Sequence, residues 1–343
     1  MQEDNTMPLS LPLGVAVVGC GGIGTRRAAT AAENERTRLV AVADVAAERA
    51  QGVAARFNCA WSTNWEEVVG RDDVQLVIVS TSNDAHAPVS IAAMERGKHV
   101  LCEKPLARNP EEARQMVETA RRYNVKLKTG FNHRFHHQVQ KARELYEAGA
   151  IGELIFIRAR TGHGGGEAFA QSWFAKKERS GGGTFLDNGV HLLDLARWFM
   201  GEFVQASGFV STNLWLIAPC EDNGFGLFRT ADNRVASLHS SWTQWRGYLY
   251  MELWGTKGFL IIDYEPPRTV LVQRERGPSG ESVEQVFSFA GVRDRSWERD
   301  LEEMVRAILE DREPLASGYD GLRAVEMAYA VYRSSETGMA VAL

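Results

Sequence analysis

The fold is decided by a short stretch near the start of the chain, VAVVGCGGIG at residues 15–24. Its first four residues are uncharged and include three valines, which predicts a buried strand that ends at Gly19. The glycines that follow fit the pattern G-x-G-x-x-G, and residues 23–33 predict a helix. A strand, a glycine-rich turn and a helix in this order are typical of a dinucleotide-binding βαβ unit.

Each glycine of this turn has a physical role in such a unit. The first permits the tight turn, the second lets the backbone approach a pyrophosphate, and the third lets the helix pack closely on the strand. The helix N-terminus offers unpaired N–H groups and a partial positive charge. The residues expected at the cofactor are therefore Gly19, Gly21, Gly22, Ile23 and Gly24. A glycine-rich turn that binds nothing is the alternative.

Asp44 follows the second predicted strand, residues 37–43, and lies twenty residues after Gly24. An acidic residue at this place accepts hydrogen bonds from the ribose 2′-hydroxyl. It would repel a 2′-phosphate, and residues 45–47 (VAA) offer no cation to offset that repulsion. The sequence therefore favours NAD over NADP.

The rest of the first part of the chain alternates strands with helices. Strands are predicted at 76–80, 99–102 and 126–130, and helices at 46–56, 85–96 and 110–123. This alternation predicts right-handed βαβ units in a doubly wound parallel sheet. We expect a Rossmann domain over residues 1–130, with residues 1–13 as a tail.

After residue 130 the pattern changes to strands in succession, separated by short turns, which predicts a largely antiparallel sheet. The chain is thus expected to be α/β, with an α+β domain over residues 131–343. The predicted strands are 154–161, 204–213, 224–230, 234–243, 247–254, 258–263, 269–275 and 282–288, and the predicted helices are 136–148, 190–200, 297–311 and 318–335.

Composition limits the classes of partner. The chain has 343 residues, 44% of them hydrophobic, and a net charge of −5 without a basic block, which argues against nucleic acid and anionic membranes. Four cysteines without a C-x-x-C pair predict free thiols in a reducing compartment. No apolar run reaches membrane-helix length, and no basic leader precedes the first strand. We expect a cytoplasmic protein.

Lys104 lies in the tripeptide Glu103-Lys104-Pro105, directly after the fourth predicted strand of the Rossmann domain. In a doubly wound sheet, ligands bind beyond the carboxyl ends of the strands. Pro105 restricts Lys104 to extended backbone or makes their peptide bond cis, and so fixes the direction of the side chain. A lysine at this place could stabilise a developing alkoxide. A surface lysine in a turn is the equal alternative from this tripeptide alone.

Asp187 and His191 are four residues apart in GGGTFLDNGVH, residues 181–191. On one helix this spacing puts both side chains on the same face. Histidine titrates near neutral pH and suits removal of an alcohol proton, while the carboxylate could orient the imidazole or bind a neighbouring hydroxyl. A helix cap beside a core histidine is the alternative.

Taken together, these motifs resemble the Gfo/Idh/MocA oxidoreductases, the family of glucose–fructose oxidoreductase and inositol dehydrogenase. The resemblance covers nearly the whole chain. It rests on the glycine fingerprint, on Thr81-Ser82-Asn83 with His86, on Glu103-Lys104-Pro105, on GFNHRF at residues 130–135, and on Asp187 with His191. It implies a Rossmann domain followed by an open-faced, mainly antiparallel sheet domain. It also implies a bound nicotinamide cofactor and a dimer or tetramer formed through that sheet.

The resemblance also implies roles for single residues. Lys104, Asp187 and His191 take the places of the family's catalytic residues. Other places imply contacts with the cofactor (Thr81, Asn83, His86, Glu103 and Trp173) or with the substrate (Asn132 and, in the loop GHGGG at residues 162–166, His163). Two departures are Ser82, where the family often has proline, and Phe174, which follows Trp173 where many members have arginine.

The sequence thus predicts an NAD(P)-dependent dehydrogenase that acts on a secondary alcohol of a sugar, cyclitol or sugar derivative. A redox-neutral NAD-dependent glycosidase and a non-catalytic NAD-binding regulator are the alternatives. No metal is predicted, because no carboxylate or cysteine at metal-ligand spacing joins His133, His136 and His137. We expect these three histidines on a solvated helix start.

Overall fold

The structure, a computed structural model, describes residues 11–274 and 282–343. Residues 1–10 of the predicted tail and residue 275 of the predicted strand 269–275 lie outside the described residues. Contacts divide the chain into two units. Unit 1 holds the residues up to Glu103, Arg114–Gly130 and Trp297–Gly318, and unit 2 holds Lys104–Ala113, Phe131–Ser296 and Tyr319–Leu343.

The strands and helices of the described residues are as follows. The strands are β1 (Leu13–Val18), β2 (Thr37–Ala43), β3 (Ala60–Ser62), β4 (Leu76–Val79), β5 (His99–Cys102), β6 (Leu127–Thr129), β7 (Leu154–Gly162), β8 (Phe203–Ser211), β9 (Asn223–Thr230), β10 (Val235–Ser241), β11 (Tyr248–Gly255), β12 (Gly258–Tyr264), β13 (Pro267–Arg274), β14 (Ser282–Ser288) and β15 (Val341–Ala342). The α-helices are α1 (Gly22–Glu33), α2 (Ala47–Phe57), α3 (Trp65–Val69), α4 (Asn83–Glu95), α5 (Pro110–Arg122), α6 (His137–Glu147), α7 (Glu167–Ala170), α8 (Lys177–Ser180), α9 (Thr184–Asp187), α10 (Gly189–Met200), α11 (Ser296–Leu309) and α12 (Gly318–Thr337).

Unit 1 contains a six-stranded sheet in the order β3-β2-β1-β4-β5-β6, with every neighbouring pair parallel. This is the doubly wound order of dinucleotide-binding folds, and it confirms the predicted parallel sheet. Because the strands are parallel, their carboxyl ends lie along one edge of the sheet. Gly19, Asp44 and Glu103 come directly after β1, β2 and β5 and therefore share that edge.

The core of unit 1 forms where helices cover this sheet. β1 is buried along its length, and Val15 and Val17 pack in one apolar cluster with Ile78 of β4 and Leu101 of β5. The same apolar cluster includes Leu301 and Met304 of α11, so a helix from late in the chain completes the covering of this early sheet. Burial of such side chains contributes about 1.5–3 kcal/mol each.

His99, at the start of β5, gives unit 1 a predicted dependence of stability on pH. Burial lowers the pKa of its imidazole to about 4, with a smaller contribution from Lys126, whose backbone N–H donates to Nδ1 of His99 at 3.0 Å. The ring is neutral in the folded chain and gains a proton near pH 6.5 in the unfolded chain. Stability is therefore fully present above pH 6.5 and is lost as the pH falls towards 4, by about 1 kcal/mol per pH unit.

We expect His99→Asn to flatten this slope in denaturant unfolding measured at a series of pH values. The variant has a neutral side chain in both states, so the difference in slope between the two proteins isolates the imidazole. Parallel curves for the wild type and the variant between pH 6.5 and 4 would contradict the prediction.

Unit 2 contains a nine-stranded sheet in the order β14-β13-β12-β11-β7-β10-β9-β8-β15. The pair β7–β10 is parallel and the other pairs are antiparallel, which confirms the predicted, mainly antiparallel sheet. The alternation of buried and exposed residues along β9 gives the sheet one covered and one open face. The open face exposes large apolar side chains, among them Phe209 (70%) and Leu227 (53%).

Among the described residues, no helix combines the length and the apolar character that a membrane-spanning segment needs.

Candidate active site

The glycine-rich turn of unit 1 has the close packing that its sequence predicts. A Cβ on Gly24 would lie 1.7 Å from the carbonyl oxygen of Gly19, so no other residue fits there without movement of the backbone. A Cβ on Gly21 or Gly22 would meet no atom within 4 Å. The backbone at the start of α1 thus borders open space, and its first N–H groups remain available to an anion.

Asp44 lies beside this turn, at the end of β2. Its Oδ2 accepts a hydrogen bond from the backbone N–H of Cys20 at 2.7 Å, and its Oδ1 accepts one from Ala46 at 2.9 Å. Each oxygen keeps a second lone pair for a ligand. The carboxylate is therefore fixed in direction against the turn and can still accept hydrogen bonds from a ribose.

Other predicted cofactor residues of unit 1 lie after β4, at the same edge of the sheet. Asn83 is the first residue of α4 and is buried. The buried ring of His86 contacts the carbonyl oxygen of Thr81 through Nε2 at 3.2 Å, and the hydroxyl of Thr81 donates to the carbonyl of Ser82 at 3.1 Å. This contact of His86 thus stabilises the loop that precedes α4. Ile23, in the first turn of α1, is exposed.

Within unit 2, Lys104 and Asp187 form an ion pair. Nζ of Lys104 lies 2.7 Å from Oδ1 of Asp187 and donates to the carbonyl oxygen of the same residue at 3.1 Å. Both side chains are partly exposed. The Lys104–Pro105 peptide bond is cis. The carboxylate therefore directs an ammonium group that keeps contact with solvent.

His191 lies close along the chain, and the local structure differs from the expectation of one helix. Asp187 is the last residue of α9 and His191 belongs to α10, with Asn188 between the two helices. The two residues therefore lie in successive helices and not on the one helix that their spacing predicted. His191 is buried, and its Nδ1 is buried without a hydrogen-bond partner among the described residues. Burial lowers the pKa of the imidazole well below its usual range, and the charge of Lys104 adds to this effect.

His133 corrects a second expectation. We expected it with His136 and His137 on a solvated helix start, but it lies in a 3₁₀ helix (Asn132–Phe135) that follows β6. Its ring stacks on that of His191 with centroids 3.7 Å apart and an interplanar angle of 14°. Its Nδ1 is buried and unpartnered among the described residues. The apolar residues on either side, Phe131 and Phe135, are buried and hold this helix in the interior.

The structure also shows the contacts of three further residues of unit 2 that the sequence analysis predicted at the site. The buried amide of Asn132 donates to the hydroxyl of Ser296 at 3.1 Å. His163 accepts a hydrogen bond at Nδ1 from the backbone N–H of Gly165 at 3.1 Å. Burial lowers the pKa of His163, and the charge of Asp187 opposes this, which brings His163 into the electrostatic range of the Lys104–Asp187 pair. Trp173 lies in a short 3₁₀ helix, and its ring stacks on that of Phe174 at 3.9 Å.

Comparison with known families decides what these two units are. Residues 13–131 match the model described as "Oxidoreductase family, NAD-binding Rossmann fold", and residues 139–261 match the "GFO/IDH/MocA C-terminal domain". The chain belongs to the Gfo/Idh/MocA family. It is thus an oxidoreductase with NAD as its cofactor, and the predicted resemblance is confirmed.

Individual members of this family match over most of their length. Myo-inositol 2-dehydrogenase of Thermotoga maritima is 29% identical over 96% of this chain and 98% of its own. The 1,5-anhydro-D-fructose reductase of Ensifer adhaerens is 31% identical over 88% of this chain and 90% of its own. A solved levoglucosan dehydrogenase in complex with NADH and levoglucosan superposes with a TM-score of 0.89 at 23% identity, covering 96% of this chain and 99% of the other.

The residues of unit 1 fit the cofactor of the Gfo/Idh/MocA family. The open space beside Gly21 and Gly22 suits a pyrophosphate at the start of α1, and the fixed carboxylate of Asp44 suits a ribose with free hydroxyls. Asp44→Asn should therefore weaken the preference for NAD, because it removes the charge that repels a 2′-phosphate. We expect the ratio of kcat/KM for NAD to that for NADP to fall by about tenfold or more, equivalent to about 1.4 kcal/mol.

The matched control is Glu48→Gln, which removes an exposed charge from the first turn of α2 and should leave the ratio unchanged. An unchanged ratio in Asp44→Asn would contradict the role of the carboxylate.

Glu103 belongs to a buried charge network that the sequence analysis missed. Oε1 of Glu103 lies 2.7 Å from Nη2 of Arg27, whose Nη1 lies 2.7 Å from Oδ2 of Asp300. Lys128 pairs with the other oxygen of Asp300 at 2.9 Å. The four side chains come from β6, α1, α11 and the end of β5, so the network ties these elements together beside the glycine-rich turn. Its buried charges are compensated within the network, and loss of one partner would be strongly destabilising.

Glu221 and Arg134 were also missed, and both support the segment that carries Asp187 and His191. Buried Glu221 accepts hydrogen bonds at 2.8 Å from the backbone N–H groups of Gly183 and Phe185, at the start of α9. A Cβ on Gly183 would lie 1.9 Å from the carbonyl oxygen of Glu221, which explains the glycine there. Arg134 pairs through Nε and Nη2 with both oxygens of Asp194 on α10, at 2.8 and 2.5 Å. No local pattern marks these pairs, since their partners lie far apart in the sequence.

Proposed function

We propose that this oxidoreductase oxidises a secondary alcohol of a sugar, a cyclitol or a sugar derivative, with Lys104, Asp187 and His191 as catalytic residues. The observation that carries this proposal is the Lys104–Asp187 pair, at 2.7 Å, close along the chain to a buried histidine. These residue types supply what the oxidation of an alcohol needs, namely a base for the hydroxyl proton and a cation for the developing negative charge.

His191 acts as the base. Burial disfavours its charged form, so the ring is neutral at neutral pH and has a free lone pair. Its Nδ1 is buried, which leaves Nε2 as the nitrogen that takes the hydroxyl proton. Lys104 donates to the same hydroxyl oxygen and stabilises its negative charge as the proton leaves. Asp187 holds the ammonium group of Lys104 in place through both its carboxylate and its carbonyl oxygen.

Unit 1 holds the cofactor in this proposal. The bound cofactor would supply the hydride acceptor for the carbon that carries the hydroxyl. Gly19 to Gly24 would hold the pyrophosphate, Asp44 would bind the ribose, and Thr81, Asn83 and His86, which follow β4 at the same edge of the sheet, would line the cofactor. Glu103 would contact the nicotinamide ribose, and Trp173 would be a further cofactor residue. The proposed catalytic Lys104 directly follows Glu103, the last of these proposed cofactor residues of unit 1 along the chain.

The substrate class rests on the names of the relatives. They are described as acting on myo-inositol, 1,5-anhydro-D-fructose and levoglucosan, which are a cyclitol and two anhydro sugars. All three carry several hydroxyl or carbonyl oxygens on a ring. Asn132 and His163 would bind the hydroxyls that are not oxidised. Asn132 adjoins His133, whose ring stacks on that of His191, and the charges of Lys104 and Asp187 act on His163.

We further propose a cytoplasmic homodimer or homotetramer, with neither nucleic acid nor membrane as a partner. The four cysteines are free, which fits a reducing compartment. The exposed apolar side chains on the open face of the nine-stranded sheet, such as Phe209 and Phe225, favour burial against a second copy. Sedimentation of the purified protein would test the assembly.

The direct test of the proposed activity is a substrate panel. Purified protein with NAD would be given cyclitols, anhydro sugars, free hexoses and alkyl glycosides, and NADH formation would be followed by its absorbance. We expect turnover with at least one ring alcohol and none with primary straight-chain alcohols. The absence of turnover in both directions, with cofactor bound, would favour the alternative of a non-catalytic NAD-binding protein.

The redox-neutral alternative has a different readout. A glycosidase that retains its cofactor would release an aglycone from an alkyl glycoside without net formation of NADH. Chromatography of the same reaction mixtures separates the two activities. The relatives named above are two dehydrogenases and a reductase, which supports the dehydrogenase.

A further inference from the structure

The proposed base, His191, is stacked face to face on a second histidine that the proposed function does not use. His133 and His191 have ring centroids 3.7 Å apart and are nearly parallel, and Phe131 meets the ring of His191 edge-on at 6.0 Å. Aromatic contacts on a ring fix its plane and exclude water from its face. His133 is therefore placed to control both the direction of His191 and its hydration.

Two imidazoles at this separation cannot both carry a proton, because the repulsion between their charges is large in a site with little water. They titrate as a coupled pair, in which a proton on one ring opposes a proton on the other. Burial lowers the pKa of both rings, and His191 adds to the lowering of the pKa of His133. The pair is neutral at neutral pH, which is the state that a base requires.

The charged and titratable groups that the described residues place around the pair come from several elements of unit 2. Lys104 opposes the protonation of both rings, and His136 lies 5.1 Å from His133 between ring centroids. The ring of Tyr264, from β12, lies 5.3 Å from that of His133, and its buried hydroxyl has no partner among the described residues. Oδ1 of Asp294 lies 3.5 Å from Nδ1 of His136.

We propose that His133 is a positioning residue for His191, whose stacked ring holds the base in one plane, keeps water from its face and so keeps it neutral for proton transfer. This inference rests on the proposed role of His191 as the base. What His133 contributes is an aromatic face, so a neutral aromatic ring at this position should replace it, and a small side chain should not.

The test compares the pH dependence of kcat/KM in the wild type, His133→Ala and His133→Phe. Without the ring, water reaches His191 and its pKa rises towards the ordinary value, so the acid limb of the profile should move to higher pH by about one unit. Activity of His133→Ala at pH 6, relative to its own value at pH 9, should fall by up to about fourfold, the loss expected for a base with the ordinary pKa of about 6.5. His133→Phe should keep the acid limb within about 0.3 units of the wild type.

The matched control is His137→Ala, which removes the histidine at the start of α6, whose ring stacks on Phe289 instead. It should leave the acid limb in place. If His133→Ala does not fold, as judged by thermal unfolding, His133→Gln is measured in its place. An acid limb that stays where it is without the ring, or that moves equally with phenylalanine, would overturn the inference.

His191→Asn separates this inference from the proposed function. If that variant retains full activity and the same acid limb, the proposed base is wrong and the inference falls with it. If that variant is inactive and His133→Ala keeps the wild-type profile, the base stands and only the role of His133 is lost.

Discussion

Lys104→Met is expected to lower kcat by about 10²–10³-fold while the affinity for NAD stays within about twofold. Methionine is close to lysine in length and is neutral, so the variant removes the ammonium group without opening a large space. The loss falls on kcat because the ammonium group acts most strongly when negative charge develops on the substrate oxygen, which happens in the transition state. Initial rates at saturating substrate and fluorescence titration with NAD measure the two quantities.

Lys141→Met is the matched control, because Lys141 pairs with Glu144 on the surface of α6. It should change neither quantity by more than about twofold, as expected for a surface ion pair. If Lys104→Met turned over as the wild type does, Lys104 would be a structural partner of Asp187 and not a catalytic residue.

His191→Asn is expected to lower kcat at neutral pH by about 10²–10⁴-fold. Asparagine keeps a hydrogen-bonding group but cannot accept the hydroxyl proton, so the remaining rate depends on hydroxide and should rise steadily with pH. The acid limb that belongs to the imidazole should disappear from the profile. Steady-state rates from pH 6 to 10 measure both effects, and NAD binding checks that unit 1 is intact.

His239→Asn is the control for this variant. His239 lies on β10 and its ring stacks on that of Phe225, which belongs to the open face of the sheet. The control should keep both the rate and the acid limb. An acid limb that persists in His191→Asn would assign the essential base to another residue, with His163 as the next to replace.

The parts of the fold that the sequence predicts are those with local patterns. β1, the glycine turn and α1 follow from uncharged β-branched residues and spaced glycines, and the strands of both sheets other than β3 and β15 follow from their alternation and turns. β3 and α3 escaped prediction because they are three and five residues long and show little apolar periodicity. The parallel pairing of β7 with β10 also has no local signal, since a strand's sequence does not specify its neighbours.

The sequence predicted only those residues of the candidate site that lie in recognisable motifs. Lys104, Asp187 and His191 stand out by residue type and position. The contact between Lys104 and Asp187 could not be predicted, because the two residues lie far apart in the sequence. His133 was expected in solvent because three histidines near a helix start suggest a polar surface. The buried rings of Phe131 and Phe135 draw it inward. Glu221 and Arg27 bind partners distant in sequence, so only the folded chain reveals them.

The central claim of this account is hydride transfer from a ring carbon to NAD, with the hydroxyl proton removed by the protein. The most direct measurement uses the best substrate of the panel, with deuterium at its carbinol carbons, and determines the mass of the reduced cofactor released by acid. The account predicts reduced cofactor that carries one deuterium per ketone formed. Reduced cofactor without deuterium, or conversion of the sugar without a ketone, would contradict it.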